Sequence, residues 1–323
     1  MIPLLRQGSL ILLPILVFEM ITVTDNNSIP HGSAQEEIEE NEEKINFVLE
    51  WGSRGSDEGE FRVPHSIAID SFGNLFVTDT ANDRIQKFTS NGTFLMQWGT
   101  FGNKTGEFSS PEGIDIDSQG NLYIADTGNS RIQKFTSNGI FLMQWGTFGN
   151  EAGEFSSHAH GVAIDSENNI YVTDRFNHNI QKFTSNGTFL MQWGTFGNKT
   201  GEFNEPHSSA IDALDNVYVS DMHNHRIQKF TSNGTFLMQW GTFGNEAGEF
   251  LLPLGLDTDS LNNIYIVDQA KSQIQKFTSN GTFLMQFGNK SAFKELEDIQ
   301  IDSFDNIYVT DKEDSSIKKY TIG

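Results

Sequence analysis

Three histidines share a spacing. His65, His160 and His207 each stand five residues before an aspartate, at Asp70, Asp165 and Asp212. The same register holds Glu112 before Asp117, Leu254 before Asp259 and Glu297 before Asp302. Three neutral imidazoles joined by a carboxylate or a water make a reasonable shell for Zn²⁺ or another divalent cation, provided each nitrogen comes within about 2.0–2.1 Å of the ion. His65, His160 and His207 are therefore the candidate metal ligands, with Glu112 and Glu297 as binding carboxylates in register. Residues so far apart in the chain act together only if the fold gathers them at one point.

A repeat supplies that gathering. The phrase QKFTSNGTFLMQWGTFGN recurs with few changes, and its first Phe falls at Phe88, Phe135, Phe183, Phe230 and Phe277. A sixth, shorter unit ends at Tyr320, its loop around residues 289–293 trimmed. A period in the forties with several short apolar runs per unit is a propeller pattern. In the second unit the runs fall at 113–117, 122–126, 131–135 and 140–145, separated by turn residues. Asn138-Gly139 is expected to close a two-residue hairpin with positive φ at both positions. Each unit thus reads as a four-stranded antiparallel blade with its first strand innermost.

Counting strands predicts how the ring closes. Fourth-strand sequences surround Trp98, Trp145, Trp193, Trp240 and Phe287, which makes five, whereas first strands begin near Ile67, Ile114, Val162, Ala210, Leu256 and Ile299. The missing strand lies upstream, where Phe47, Val48, Leu49, Glu50 and Trp51 match the fourth-strand pattern. The expected fold is all-β: a six-bladed propeller over residues 46–323, closed by its N-terminal strand, which removes two open sheet edges.

The units resemble NHL repeats. The resemblance rests on Pro111-Glu112-Gly113-Ile114, on the segment from Asn121 to Asp126, and on Asn129-Ser130-Arg131-Ile132-Gln133-Lys134-Phe135. It implies the propeller fold and leaves function open, since such propellers include RNA-binding modules, extracellular sensors and metal-dependent lyases. The loops entering each first strand and those joining second to third strands share one face, the top. All seven histidines after the leader fall there: the three in register, His158, and His178, His223 and His225 in the two-to-three loops. His178 and His225 occupy the repeat's usual Asn-His position. His223 does not, and it counts as a binding candidate.

The channel-mouth motifs are similar to those of peptidyl-hydroxyglycine amidating lyases, through Pro64-His65-Ser66 and Pro206-His207-Ser208. That resemblance implies a zinc site and assigns Arg175, in Val172-Thr173-Asp174-Arg175, as a catalytic and binding clamp on a substrate carboxylate or oxyanion. The departures are that the histidines occupy blades one, three and four rather than alternate blades. The lyases' tyrosine position is matched only by Phe176.

Composition narrows the partners. A net charge of −22, with 21 basic against 43 acidic residues, argues against nucleic acid. There is no cysteine, so disulfides and thiolate chemistry are excluded. Arg6 and the apolar run at 10–18 read as a signal peptide or N-terminal anchor over residues 1–34, followed by an acidic linker at 35–45. The expected location is secreted or at the cell surface. Asn-Gly-Thr at Asn91, Asn186, Asn233 and Asn280 offers glycosylation sequons, although Asn-Gly also serves the turn. The preferred expectation is a monomeric module that binds a protein, peptide or glycan through its top face. The alternative is a metal-dependent lyase or hydrolase using the histidines with zinc or another divalent cation.

Overall fold

The computed structural model describes residues 43–323; the leader and most of the acidic linker lie outside the described residues. Six four-stranded antiparallel sheets follow one another in the chain, five of them built from consecutive strands. The second blade shows the pattern: Pro111–Ile116, Asn121–Asp126, Arg131–Thr136 and Phe141–Trp145. In the sixth blade the outermost strand is Ile45–Trp51, paired antiparallel with Ser316–Ile322 so that Ile45 faces Ile322 and Trp51 faces Ile317. Closure thus joins the two ends of the described chain and gives the last blade its fourth strand.

Burial explains the strand sequences. Second strands such as Ile170–Asp174 are covered on both faces and begin with an unbroken apolar run before a buried Thr and Asp. Fourth strands such as Phe189–Trp193 alternate half-buried with exposed, as expected at the rim. The repeated aromatics pack blade against blade: Trp98 of blade one lies 6.0 Å from Phe135 of blade two, which also meets Phe108 at 5.6 Å. Each such ring contributes about 1.5–3 kcal/mol by leaving water.

The hairpin between third and fourth strands differs from the expected two-residue turn. Thr136 N–H donates to the Ile140 carbonyl and Gly139 N–H to the Thr136 carbonyl, enclosing three residues. Of Asn138 and Gly139, only Gly139 has positive φ, at 73°. This is a type I turn followed by a glycine bulge, and the pairing register shifts accordingly between Lys134 and Phe135. The glycine is required twice over, because a Cβ there would meet Trp98 at 2.9 Å. The sequon asparagines serve equivalent turns; Thr89 Oγ1 donates to Asn91 Oδ1 at 2.6 Å.

The Asp that ends each second strand is structural. Asp79 accepts from Arg62 N–H at 2.7 Å, Asp126 from Ser109 N–H at 2.7 Å and Asp221 from Asn204 N–H at 2.8 Å. Arg84, Arg131 and Arg226 each donate Nε–H to that carboxylate at 2.7 Å. These pairs pin the loop that enters the blade, and so fix where the first strand begins.

Candidate metal centre at the channel mouth

Each first strand carries a bulge at its start. In blade one Pro64 pairs with Asp79 but the next pair is Ile67 with Val77, so the first strand holds one more residue than its partner. The same shift occurs between Ala159 and Val162, between Pro206 and Ser209, and between Leu296 and Ile299. A bulge turns a side chain out of the pleat. The residues it carries are His65, His160, His207 and Glu297. A hydroxyl of the second strand satisfies the N–H it frees: Ser66 N–H donates to Thr78 Oγ1 at 2.8 Å, and Asp298 N–H to Thr310 Oγ1 at 2.9 Å.

The four side chains converge, and all are buried. One ligand atom from each lies within 4.8 Å of the other three. Glu297 Oε1 sits 3.0 Å from His65 Nε2 and 3.1 Å from His207 Nε2. The His160 ring lies 4.0 Å from that of His207 and 4.8 Å from that of His65, centroid to centroid. His160 Nδ1 donates to the His207 carbonyl at 2.8 Å, which fixes its tautomer and leaves Nε2 with a lone pair. Nδ1 of His65 and of His207 is buried without a partner.

Burial disfavours the charged form of two of these imidazoles, His160 and His207. Burial holds His160 well below the ordinary histidine value, and the neighbouring His207 and His65 push the same way. Burial likewise brings His207 down to about 4 against the opposing pull of Glu297. Burial alone would raise Glu297, but His65 and Lys312 outweigh it and hold the carboxyl well below its usual range. A neutral imidazole and an ionised carboxylate are the states a divalent ion requires.

A second ring stands above the first. The residue following each second-strand Asp is Thr80, Thr127, Arg175, Met222, Gln269 and Lys312. The two threonines turn away, Thr80 Oγ1 donating to the Pro111 carbonyl at 2.7 Å and Thr127 Oγ1 to the Ala159 carbonyl at 2.8 Å. The other four line a cavity of about 210 Å³ over the cluster, together with Glu112 and Leu254. Lys312 Nζ donates to Glu297 Oε2 at 2.6 Å, and Gln269 Nε2 to the same oxygen at 3.2 Å. Sequence reasoning singled out Arg175 but missed Lys312 and Gln269, although the register that found the histidines would have found them too.

The remaining candidates divide. Glu112 lies at the mouth, with Oε2 3.5 Å from His160 Nε2 and no hydrogen-bond partner. Arg175 also lines the cavity, its Nε–H held by Glu205 Oε2 at 2.9 Å. His223 does not join them; it is exposed, its Nε2 3.6 Å from the same Glu205 oxygen that holds Arg175. Phe176 stacks on His158 at 4.2 Å instead of lining the cavity, so the position of a lyase tyrosine is filled by a packing ring. Below the cluster, Asp115, Asp257 and Asp298 line the channel; at the repeat position of Asp115 and Asp257, blades one, three and four carry Ala68, Ala163 and Ala210. Burial raises these carboxyls to about 7, 8 and 6.

Comparison with known proteins agrees with this architecture. The NHL repeat family matches residues 61–88, 108–135, 157–183 and 203–230. Among solved structures, a streptogramin B lyase is 17% identical with a TM-score of 0.61, covering 86% of this chain and 88% of that one. A catalytically inactive His-to-Ala variant of virginiamycin B lyase from Staphylococcus aureus, with quinupristin, is 18% identical at TM-score 0.61, covering 87% and 99%. A gluconolactonase from Xanthomonas campestris is 13% identical at TM-score 0.62, covering 82% and 88%. Identities this low establish the shared fold alone. With four matched repeats, six blades and a closing N-terminal strand, the chain is an NHL-repeat six-bladed β-propeller.

Proposed function

We propose that this propeller is a metal-dependent lyase or hydrolase, with a divalent cation held by His65, His160, His207 and Glu297. The observation that carries the reading is the convergence of these four buried donors from four blades. One carboxylate oxygen lies within 3.1 Å of two imidazole Nε2 atoms, and His160 Nε2 keeps its lone pair beside them. That is a poor resting place for polar groups and a ready one for a cation. A bound ion of this kind supplies Lewis-acid polarisation of a carbonyl or an activated water.

The chain's own residues supply the rest. Arg175, fixed by Glu205, presents a guanidinium at the cavity where negative charge would develop. Glu112, beside His160 and without a partner, is the available carboxylate for moving a proton, taking the place of the absent phenol. Relatives of the same fold include lyases and a gluconolactonase, which is consistent with a carbonyl-centred reaction. A ligand-binding module would use the same face but has no need of four converging donors. Elemental analysis of the purified protein tests the proposal. Near-stoichiometric zinc or a similar ion is expected, with loss of most of it in His65→Ala, His160→Ala and His207→Ala. A metal-free wild type that takes up no divalent ion on titration would overturn it.

A further inference from the structure

On the face opposite the metal cluster, the hairpins joining first to second strands are laced to one another. Each first strand is followed by an Asp, and the turn after it offers a backbone N–H at its first residue and a side chain at its third. From blade to blade, the first residue donates to the third residue of the next turn. Ser118 N–H reaches Asn168 Oδ1, Ser166 N–H reaches Asp215 Oδ1, Ala213 N–H reaches Asn262 Oδ1 and Ser260 N–H reaches Asp305 Oδ1, all at 2.9 Å. Where a serine meets an aspartate the hydroxyl joins in. Ser166 Oγ donates to Asp215 Oδ2 at 2.8 Å and Ser260 Oγ to Asp305 Oδ2 at 2.7 Å. One serine thus grips both oxygens of a carboxylate.

The lacing has two gaps, because the third residue is glycine in blades one and two, at Gly73 and Gly120. Ser303 and Ser71, which would donate to those positions, have no acceptor for N–H or Oγ among the described residues. A cleft of about 470 Å³ opens at the first gap, between blades six and one, and one of about 220 Å³ at the second. The larger cleft also holds uncommitted positive charge. Lys87, Lys134, Lys182, Lys229 and Lys276 each lie within 3.9 Å of the Asp that follows the first strand of their own blade. Lys319, their counterpart in blade six, makes no such pair among the described residues; its Nζ donates to the Ser90 carbonyl at 3.2 Å and lines the cleft. Asp70 and Asp302 line it too, but each is taken up by its own turn, accepting from Phe72 N–H and Phe304 N–H at 2.9 Å. The two exposed rings, Phe72 from blade one and Phe304 from blade six, flank the cleft with Ile69 and Ile301.

We infer that the cleft between blades six and one binds a small carboxylic acid with an apolar body. The carboxylate takes the place that Asp215 and Asp305 fill between other blades, on Ser303 N–H and Oγ, with the Lys319 ammonium in the same cleft. The apolar body lies against Phe72 and Phe304. With a net charge of −22 the chain repels anions at long range, so short contacts hold the acid and not the field of the whole protein. The site is independent of the metal reading and would survive its failure.

Ligand-observed NMR titration of the full chain with N-acetyl-L-phenylalanine tests it, with the primary amide of the same compound as the uncharged comparator. The acid is expected to bind about tenfold more tightly than the amide. Gly73→Asn supplies the missing side chain without adding charge, as Asn168 and Asn262 do at φ of 62° and 61°. There is room for it, since the nearest atom to an added Cβ is Ser90 Cβ at 3.8 Å. This variant is expected to weaken acid binding by about tenfold or more and to raise the melting temperature, because it adds a bond between blades. Gly120→Asn fills the neighbouring gap and should leave binding unchanged. Lys319→Met should lower affinity for the acid and spare the amide. No binding by the wild type at about 10 mM, equal binding of acid and amide, or acid binding that survives Gly73→Asn would each overturn the inference.

Discussion

Two rings of titratable residues circle the same channel, and their hydrogen bonding sets them apart. The outer ring, Asp79 and its five equivalents, repeats unchanged in every blade, and its bonding is saturated. Asp221, for example, accepts from Asn204 N–H, Asn224, Arg226 and Gln228. The inner ring varies from blade to blade, and it leaves Nδ1 of His65 and His207 and Oε2 of Glu112 without partners. A polar group held for stability is given its partners by the fold. The inner ring, unlike the outer one, gathers imidazoles and a carboxylate with donor atoms left over, which is what the proposed cation would use.

That contrast breaks first at the outer ring. Asp221→Ala leaves the buried Arg226 guanidinium without its carboxylate and is expected to cost about 3–5 kcal/mol in denaturant unfolding. Metal bound per folded molecule should not change. The inner ring responds in the opposite way. Lys312→Met removes the Nζ–H donor that orients Glu297, and metal affinity is expected to fall about 10–100-fold, as for outer partners of metal ligands. Competition titration with a chromophoric chelator reads this, and Lys312→Arg should restore part of the loss. A merely structural Lys312 would lower the melting temperature and leave affinity alone.

The smallest effect concerns the channel carboxylates. Burial raises Asp115 to about 7 and Asp257 to about 8, above the unfolded value of 3.8. Groups raised in the folded state contribute stability below the unfolded value, and lose it as pH rises through the folded one. Between pH 5 and 9 the melting temperature of the wild type should therefore fall by several degrees more than that of Asp115→Asn/Asp257→Asn. Parallel curves would show that the channel solvates these carboxylates.

Legibility followed repetition. The blade count and the closing strand could be read because the units recur, so that copies correct one another. The turn at Asn138-Gly139 was misread because the same dipeptide serves two hairpin geometries, and the bulge that selects between them is a pairing property. His223 was grouped with the site because loop membership is visible in sequence, whereas the direction of a side chain is not. Glu205, which anchors Arg175 and lies near His223, carries no sequence signal at all.

The sequence by itself determined the propeller and the register that brings His65, His160, His207 and Glu297 to one level. A period near 47 residues and an unpaired strand-four motif leave the topology no other closure. Only the tertiary structure decided that Glu297, and not Glu112, is the carboxylate shared by two imidazoles. That choice depends on the side of the ring to which each blade delivers its bulge, and on the cation that waits above it. Lys312 rises over blade six, while Thr127, at the same position in blade two, turns away.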